Sequence, residues 1–328
     1  MNFDKGRVVY MNGQYVHEKD AKISIFDSAL MFGDMVFEMT RSFNGKQFKL
    51  REHLERLYTG IKIFHIPIKM TIDEMEEACL HTIEKNKLAF EEHDEHRLMI
   101  NVSRGPLGIY APVFKGDLEP TVVIADFPLK WTVAAMAPLF NTGINAVIPS
   151  QRAIPSHLMD PKIKNRSRVF YQMANIEVSQ IKGENNWALL LDPDGFITEG
   201  TGDNFFIVKN GEIISPEGRN ILRGISREYI FELADQLGMP CRECNIEPYD
   251  VYEADEAFMT GTPFCLLPTI SLNGIKIADG KMGNVSRKLL EQWSNNVGVD
   301  IKNQIMEYGK EVDYLNSGAP TPYQFKKN

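Results

Sequence analysis

The chain has little of several things, and each shortage removes a class of protein. Cysteine occurs four times in 328 residues, too sparsely for a disulfide-stapled scaffold. The uncharged apolar runs, such as Trp187–Leu191, fall far short of the roughly 20 residues that a membrane span needs. The first residues, MNFDKGRVVYMNG, place charges and a turn where a secretion signal would need an apolar stretch, so the expected location is the cytoplasm. There is no Walker motif, no complete GxGxxG, no internal repeat and no low-complexity tract. Basic residues are outnumbered, with 36 Lys and Arg against 44 Asp and Glu for a net charge of −8. Nucleic acid and other polyanions are therefore poor partners for the protein as a whole. A local cationic pocket for a small phosphate is compatible with that balance.

What is present is ordinary for a soluble globular protein. Hydrophobic residues make up 43% and charged residues 24%, and the length suggests about two domains. The N-terminal part reads as mixed α/β. Val8–Met11 and Gln14–His17 flank the turn Asn12-Gly13, a hairpin signature. A second hairpin is expected around Asn44-Gly45, between Phe37–Phe43 and Gln47–Leu50. Leu54, Leu57, Ile61 and Phe64 share one face of a helix over Arg51–Phe64. A second helix runs over Ile72–Asn86 with Thr71 as N-cap, and Arg97–Ser103 and Thr121–Ala125 follow as strands.

The domains are placed at 1–125, a small α/β domain, and 142–300, a larger one. Between them the irregular, proline-containing stretch 126–141 is a linker. The polar end of the chain, 301–328, is expected to be a loosely packed tail. In the larger domain a helix follows Asn165 and continues to Ile181. A strand meander comes next, over Trp187–Leu191, Phe196–Thr198, Asn204–Lys209 and Glu212–Ser215. A helix over Ser226–Leu237 then stops at Gly238.

Five segments bear on chemistry, and each has a plain alternative. Cys241 and Cys244 form a single CxxC, but it follows the helix stop Gly238-Met239-Pro240 and no second pair offers zinc its other ligands. No metal site is expected. In Asp160-Pro161-Lys162-Ile163-Lys164-Asn165, a buried lysine would be a nucleophilic amine, and an exposed one only a surface charge. In Thr198-Glu199-Gly200-Thr201-Gly202-Asp203-Asn204, two glycines let the backbone approach a ligand that Glu199 would face; otherwise this is a β-turn. In Leu222-Arg223-Gly224-Ile225-Ser226-Arg227, helix N–H groups and the Ser226 hydroxyl make a phosphate cradle, unless Ser226 is simply the N-cap. Thr260-Gly261-Thr262-Pro263 is either a second phosphate contact or a strand-ending turn.

The order of these segments is more informative than any one of them. Lys164, Glu199, Leu222-x-Gly224-Ile225-Ser226 and Thr260-Gly261-Thr262 together resemble the fold-type IV (class IV) pyridoxal-phosphate aminotransferases. That family holds branched-chain aminotransferases, D-amino-acid aminotransferases, (R)-selective amine transaminases and aminodeoxychorismate lyase. Glu199–Phe206 resembles its E-G-S-G-x-N segment, and Leu222–Arg227 its L-x-G-I-T-R. Phe37–Arg41 resembles F-E-G-x-R, and Glu52–Leu57 the E-H-x-x-R-L helix. The resemblance spans about residues 5–300.

The resemblance implies an α/β (α+β) two-domain enzyme, a homodimer, with pyridoxal 5'-phosphate bound between its domains. It implies that Lys164, rather than its neighbour Lys162, holds the cofactor covalently and shuttles a proton. Glu199 would pair with the pyridine nitrogen. Arg56, the N–H groups of Ile225 and Ser226, the Ser226 hydroxyl and Thr262 would hold the phosphate, and Leu222 would pack on a ring face. The implied reaction is ping-pong transamination from an amino donor to a 2-oxo acid.

Departures from the pattern bear on the donor. Branched-chain enzymes place a Tyr five residues after the Lys, where this chain has Val169. Arg168 looks more like the lyase branch, while Glu38 looks like the transaminases. The Arg-x-His of the D-amino-acid branch is replaced by Gly108-x-Tyr110. Arg41 is left as the partner for a substrate carboxylate, as in branched-chain enzymes. The expected donor is a branched-chain amino acid or an (R)-amine, with 4-amino-4-deoxychorismate lyase and D-amino-acid aminotransferase as alternatives. A non-catalytic carrier of the cofactor is disfavoured by the set Lys164, Glu199 and Arg56.

Overall fold

A computed structural model describes residues 6–311 apart from 115 and 117. These residues form two compact units. The first runs to Leu129 and takes in Ile163–Arg168; the second comprises Lys130–Lys162 and the chain from Val169 onward.

In the first unit, five antiparallel strands lie in the order β2-β1-β5-β4-β3. They are β1 Val8–Met11, β2 Gln14–His17, β3 Met35–Met39, β4 His96–Ser103 and β5 Thr121–Pro128. The β1–β2 hairpin pairs Met11 with Gln14 across Asn12-Gly13, as the turn residues demand. Alternation along the strands sorts their faces. Val36, Leu98, Ile100, Val102, Val122 and Ile124 join one core with Leu54, Leu57 and Ile61 of helix α1 (Leu50–Ile63) and Met75, Cys79 and Ile83 of helix α2 (Ile72–Asn86). Thr71 caps α2 in a reciprocal capping box with Glu74, as its position predicts. The opposite face carries Met35, Phe37 and Met39, paired with Ser103, Asn101 and Met99.

Two expectations shift here. Phe37–Phe43 is not one strand: β3 ends at Met39, and only Ser42–Phe43 pairs with Lys46–Gln47 at the Asn44-Gly45 turn. The helix expected after Asn165 begins later, at Val169. Residues 163–168 are drawn onto β3, where Phe37 N–H donates to the Lys164 carbonyl and Arg166 N–H to that of Met35. Backbone pairing with a strand wins over local helical propensity in this segment.

The second unit is built on nine strands: β6 Ile144–Val147, β7 Asn186–Leu191, β8 Ile197–Gly200, β9 Asn204–Lys209, β10 Glu212–Pro216, β11 Cys241–Cys244, β12 Glu256–Gly261, β13 Cys265–Leu272 and β14 Ile275–Lys276. They run in the order β8-β7-β6-β13-β12-β9-β10-β11, with β14 on β13. Because β8 also pairs with β9, through Glu199 and Asn204, six of them close into a ring. Helix α3 (Val169–Ser179) packs Ala174 and Val178 against Val147, Ala188 and Leu190. Helix α4 is Ile225–Gln236 and α5 is Asn284–Val297. Buried Glu256 on β12 caps α5, accepting from the Val285 and Ser286 N–H groups at 2.8 Å and from the Ser286 hydroxyl at 2.7 Å.

The stretch read as a linker, 126–141, starts inside β5 and continues as short helical turns that bury Val133, Met136, Leu139 and Phe140. The described part of the expected tail, Ile301–Glu311, is a helix (α6) that buries Ile301, Ile305 and Tyr308. The spacing of those three residues is the helical signal that a reading by overall polarity passes over. The remainder of the tail lies outside the described residues. Among the described residues, no helix is long and apolar enough to cross a membrane.

Candidate active site

The candidate residues form one group on each unit. On the first, β3 and α1 bring Glu38 and Arg56 together. Arg56 donates from Nε and Nη2 to the two carboxylate oxygens of Glu38, at 2.6 and 2.8 Å, a bidentate pair. His53 Nδ1 lies 2.8 Å from Glu38 Oε2. Burial by itself would raise the Glu38 pKa, but Arg56 and His53 outweigh it and hold this carboxyl well below the usual range. Burial also lowers the His53 pKa, against the pull of Glu38. Ionised Glu38 can only accept, so the proton of neutral His53 sits on Nδ1.

Phe37, on the face turned away from the core, is ringed by cations. The Lys164 amine is 4.9 Å from the ring centroid, and the Arg166 and Arg168 guanidinium carbons are at 3.7 and 5.6 Å. Arg166 is braced by two hydrogen bonds to Asn101 Oδ1. Neighbouring Lys162, in the second unit, is tied to Asp160 at 2.8 Å and to the Arg219 carbonyl at 3.2 Å. Val169 is exposed.

Arg41 is 1% exposed, with Nε donating to the Ser42 carbonyl and the guanidinium 3.9 Å from the Phe43 centroid. Close to it is Arg97, which the sequence reading missed. Arg97 is 6% exposed, and among the described residues its Nε and Nη1 meet no acceptor. Burial and the charge of Arg41 pull its pKa down to about 9. A signal did exist. Arg97 sits in a strand whose apolar residues alternate as Leu98, Ile100 and Val102, which puts the arginine on the face opposite the core.

On the second unit, buried Glu199 closes the strand ring and accepts hydrogen bonds on both carboxylate oxygens. The Tyr171 hydroxyl reaches Oε1 at 2.7 Å, while Asn204 Nδ2 and the Leu222 N–H reach Oε2 at 2.9 and 3.0 Å. Asn204 Nδ2 also donates to the Leu222 carbonyl at 2.9 Å. Gly224 is the N-cap of α4, and no side chain among the described residues caps that end. Ser226 is thus the second residue inside the helix rather than its cap. The Ile225 and Ser226 N–H groups belong to the unpaired first turn, where an anion is favoured. Gly224 is required by close approach: a Cβ there would stand 2.1 Å from Asn204 Oδ1. Thr262 follows the end of β12, where Thr260 donates to the Cys265 carbonyl at 2.6 Å.

The CxxC pair is part of β11, paired in parallel with β10. Residues three apart on a strand point to opposite faces and are about 10 Å apart, beyond disulfide reach. Burial pushes the Cys241 thiol up to about 12, and no acidic, His or Cys cluster able to hold a metal occurs among the described residues.

A match to the family described as amino-transferase class IV covers residues 35–272. A Methanocaldococcus jannaschii protein with a provisional branched-chain-amino-acid aminotransferase name is 36% identical over 88% of this chain and 95% of its own. The crystal structure of the Escherichia coli branched-chain amino acid aminotransferase superposes with a TM-score of 0.78 at 30% identity, covering 88% of this chain and 94% of that one. The branched-chain aminotransferase of the thermophilic archaeon Thermoproteus uzoniensis, solved with norvaline, gives 0.77 at 28% identity, covering 95% and 98%. The chain belongs to the class IV aminotransferases and has the fold-type IV architecture.

The Glu38 cluster makes a pH-dependent prediction. A carboxyl whose folded pKa lies below its ordinary 4.5 stabilises the fold fully above that value, and the contribution is lost as pH falls through the folded pKa. Glu38→Gln should lower stability at pH 7 by about 3 kcal/mol, as for a buried pair deprived of one partner. In urea titrations the gap to wild type should narrow steadily below pH 4.5; a gap independent of pH would contradict the ionised state.

Proposed function

We propose that the chain is a pyridoxal 5'-phosphate-dependent transaminase that passes an amino group from an α-amino acid of branched-chain type, or an (R)-amine, to a 2-oxo acid by a ping-pong route. The observation that carries the reading is the buried Glu199 carboxylate, held by Tyr171, Asn204 and Leu222 beside the N-terminus of α4, which has no side-chain cap. An acceptor for a ring N–H and an anion cradle linked to it through Leu222 and Gly224 are what a phosphorylated pyridine requires. When bound, that cofactor supplies a sink for the electron pair left at the substrate Cα when its proton departs.

The protein's own residues do the rest. Glu199 sets negative charge against the ring nitrogen. Lys164 holds the cofactor covalently and then carries the Cα proton; its rival Lys162 is already engaged by Asp160 and Arg219, which supports Lys164. Ile225 and Ser226 with their N–H groups, the Ser226 hydroxyl, Thr262 and Arg56 bind the phosphate, and Leu222 packs on the ring. Arg41 serves the substrate carboxylate, together with Arg97. A guanidinium buried with donors unmet is costly, and a carboxylate is its natural complement. The branched-chain preference rests on the names of the relatives. Ile25, Leu30, Phe32, Ile109 and Val113, exposed on the first unit beside the packed rings of Phe26, Tyr110 and Phe114, support a homodimer.

Three outcomes test this. Lys164→Ala should abolish turnover and Lys162→Ala should retain most of it; borohydride reduction and peptide mapping would refute the assignment by finding the cofactor on Lys162. Arg41→Ala should cut kcat/KM about ten- to hundredfold for L-leucine, the range for a charge-assisted contact, and leave (R)-1-phenylethylamine little changed. Equal losses on both would make Arg41 structural, and pyruvate release from aminodeoxychorismate would point to a lyase instead. Light scattering should give a dimer for the wild type and a monomer for Phe32→Glu; a monomeric wild type would remove the homodimer.

A further inference from the structure

Helix α3 turns one polar edge toward the strand turn that carries Glu199. Tyr171 and Asn175 are one helical turn apart and so share a face. The Tyr171 hydroxyl donates to Glu199 Oε1 at 2.7 Å, and Asn175 Oδ1 accepts from the Thr201 hydroxyl at 3.1 Å. The Tyr171 ring packs against the core of Val147, Ala153, Ala174, Val178, Ala188 and Leu190 and lies 4.1 Å from Phe170. The hydroxyl is therefore presented by an anchored ring. Asn204 and Leu222 both donate to Oε2. The Tyr171 hydroxyl acts on the other oxygen, Oε1. A second hold on Oε1 fixes its plane.

We propose that Tyr171 is a positioning residue for this enzyme: its hydroxyl locks the Glu199 carboxylate in the orientation that meets the cofactor's ring nitrogen. This rests on the role given to Glu199 above. It also gives meaning to the aromatic pattern after Lys164, since Val169 is exposed and it is Tyr171 that turns into the unit. Removing the hydroxyl should matter only while Glu199 is present, because the phenol acts through the carboxylate.

The test is a double-mutant cycle on the full-length protein. Tyr171→Phe keeps the packed ring and deletes the donor, so its melting temperature should stay near the wild-type value. The dissociation constant of pyridoxal 5'-phosphate, from quenching of tryptophan fluorescence, and kcat with L-leucine are measured for wild type, Tyr171→Phe, Glu199→Ala and the double variant. The expected result for Tyr171→Phe is a dissociation constant raised about tenfold and a kcat lowered about tenfold, at the lower end for a hydrogen bond to a charged group. In the Glu199→Ala background the same change should cost less than about twofold, as expected for a contact whose partner is gone. Equal losses in both backgrounds, or none in either, would overturn the positioning role and leave Glu199 untouched. A Glu199→Ala variant with wild-type affinity and turnover would overturn the reading of Glu199, and the role of Tyr171 with it.

Discussion

One side-chain amide holds the second unit's chemistry in place. Asn204 opens β9, pairs through its backbone with Glu199, and spends its Nδ2 on both the Glu199 carboxylate and the Leu222 carbonyl. Three stretches of chain, distant in sequence, are thereby fixed to one another by one short side chain. The approach of Gly224 to its Oδ1 is so close that no other residue type fits at position 224 without displacement. An amide suits the task because it offers donors and an acceptor at once. An aspartate there would set a second negative charge against Glu199.

The first unit is organised by how its charges are matched. Glu38 is buried and answered by Arg56 and His53; Asp27 is buried and answered by the Ser103 and Thr121 hydroxyls and the Ala29 N–H. These pairs are complete and act as fasteners. Arg97 is also buried, with two donors unanswered, and Phe37 gathers three cations about its ring. A unit that pairs Glu38 and Asp27 so fully and leaves the buried Arg97 guanidinium waiting has a face suited to anions, despite a net charge of −8 for the chain.

Much of this was legible in the sequence where local rules decide. Asn12-Gly13 set a hairpin and Thr71 a helix start, and the turn residues bounded the meander of strands. Reading failed where distant contacts decide. The residues just after Asn165 look like the start of a helix, yet the segment from Lys164 to Arg166 is held as a backbone partner of β3. Ser226 looks like an N-cap, yet the cap lies two residues earlier at Gly224, where the backbone passes close to the Asn204 side chain. The order of Lys164, Glu199, Leu222–Ser226 and Thr260–Thr262 carried the family, since chain order survives when spacing and composition drift. No such rule pointed to Tyr171, and alternation gave only the face of Arg97; the meaning of both comes from which neighbours the fold supplies.

The ring of strands in the second unit is closed by a single residue pair, Glu199 with Asn204, across a turn in which the Gly200 N–H donates to the Asp203 carbonyl. Side chains alternate across a sheet, so adding or removing one residue in that turn would slip the pairing and send the carboxylate to the opposite face. Length is therefore under tighter constraint there than identity. Descendants of this gene have freedom to exchange Gly202, where an added Cβ would meet nothing, but a single-codon insertion would open the ring and misdirect its acid together.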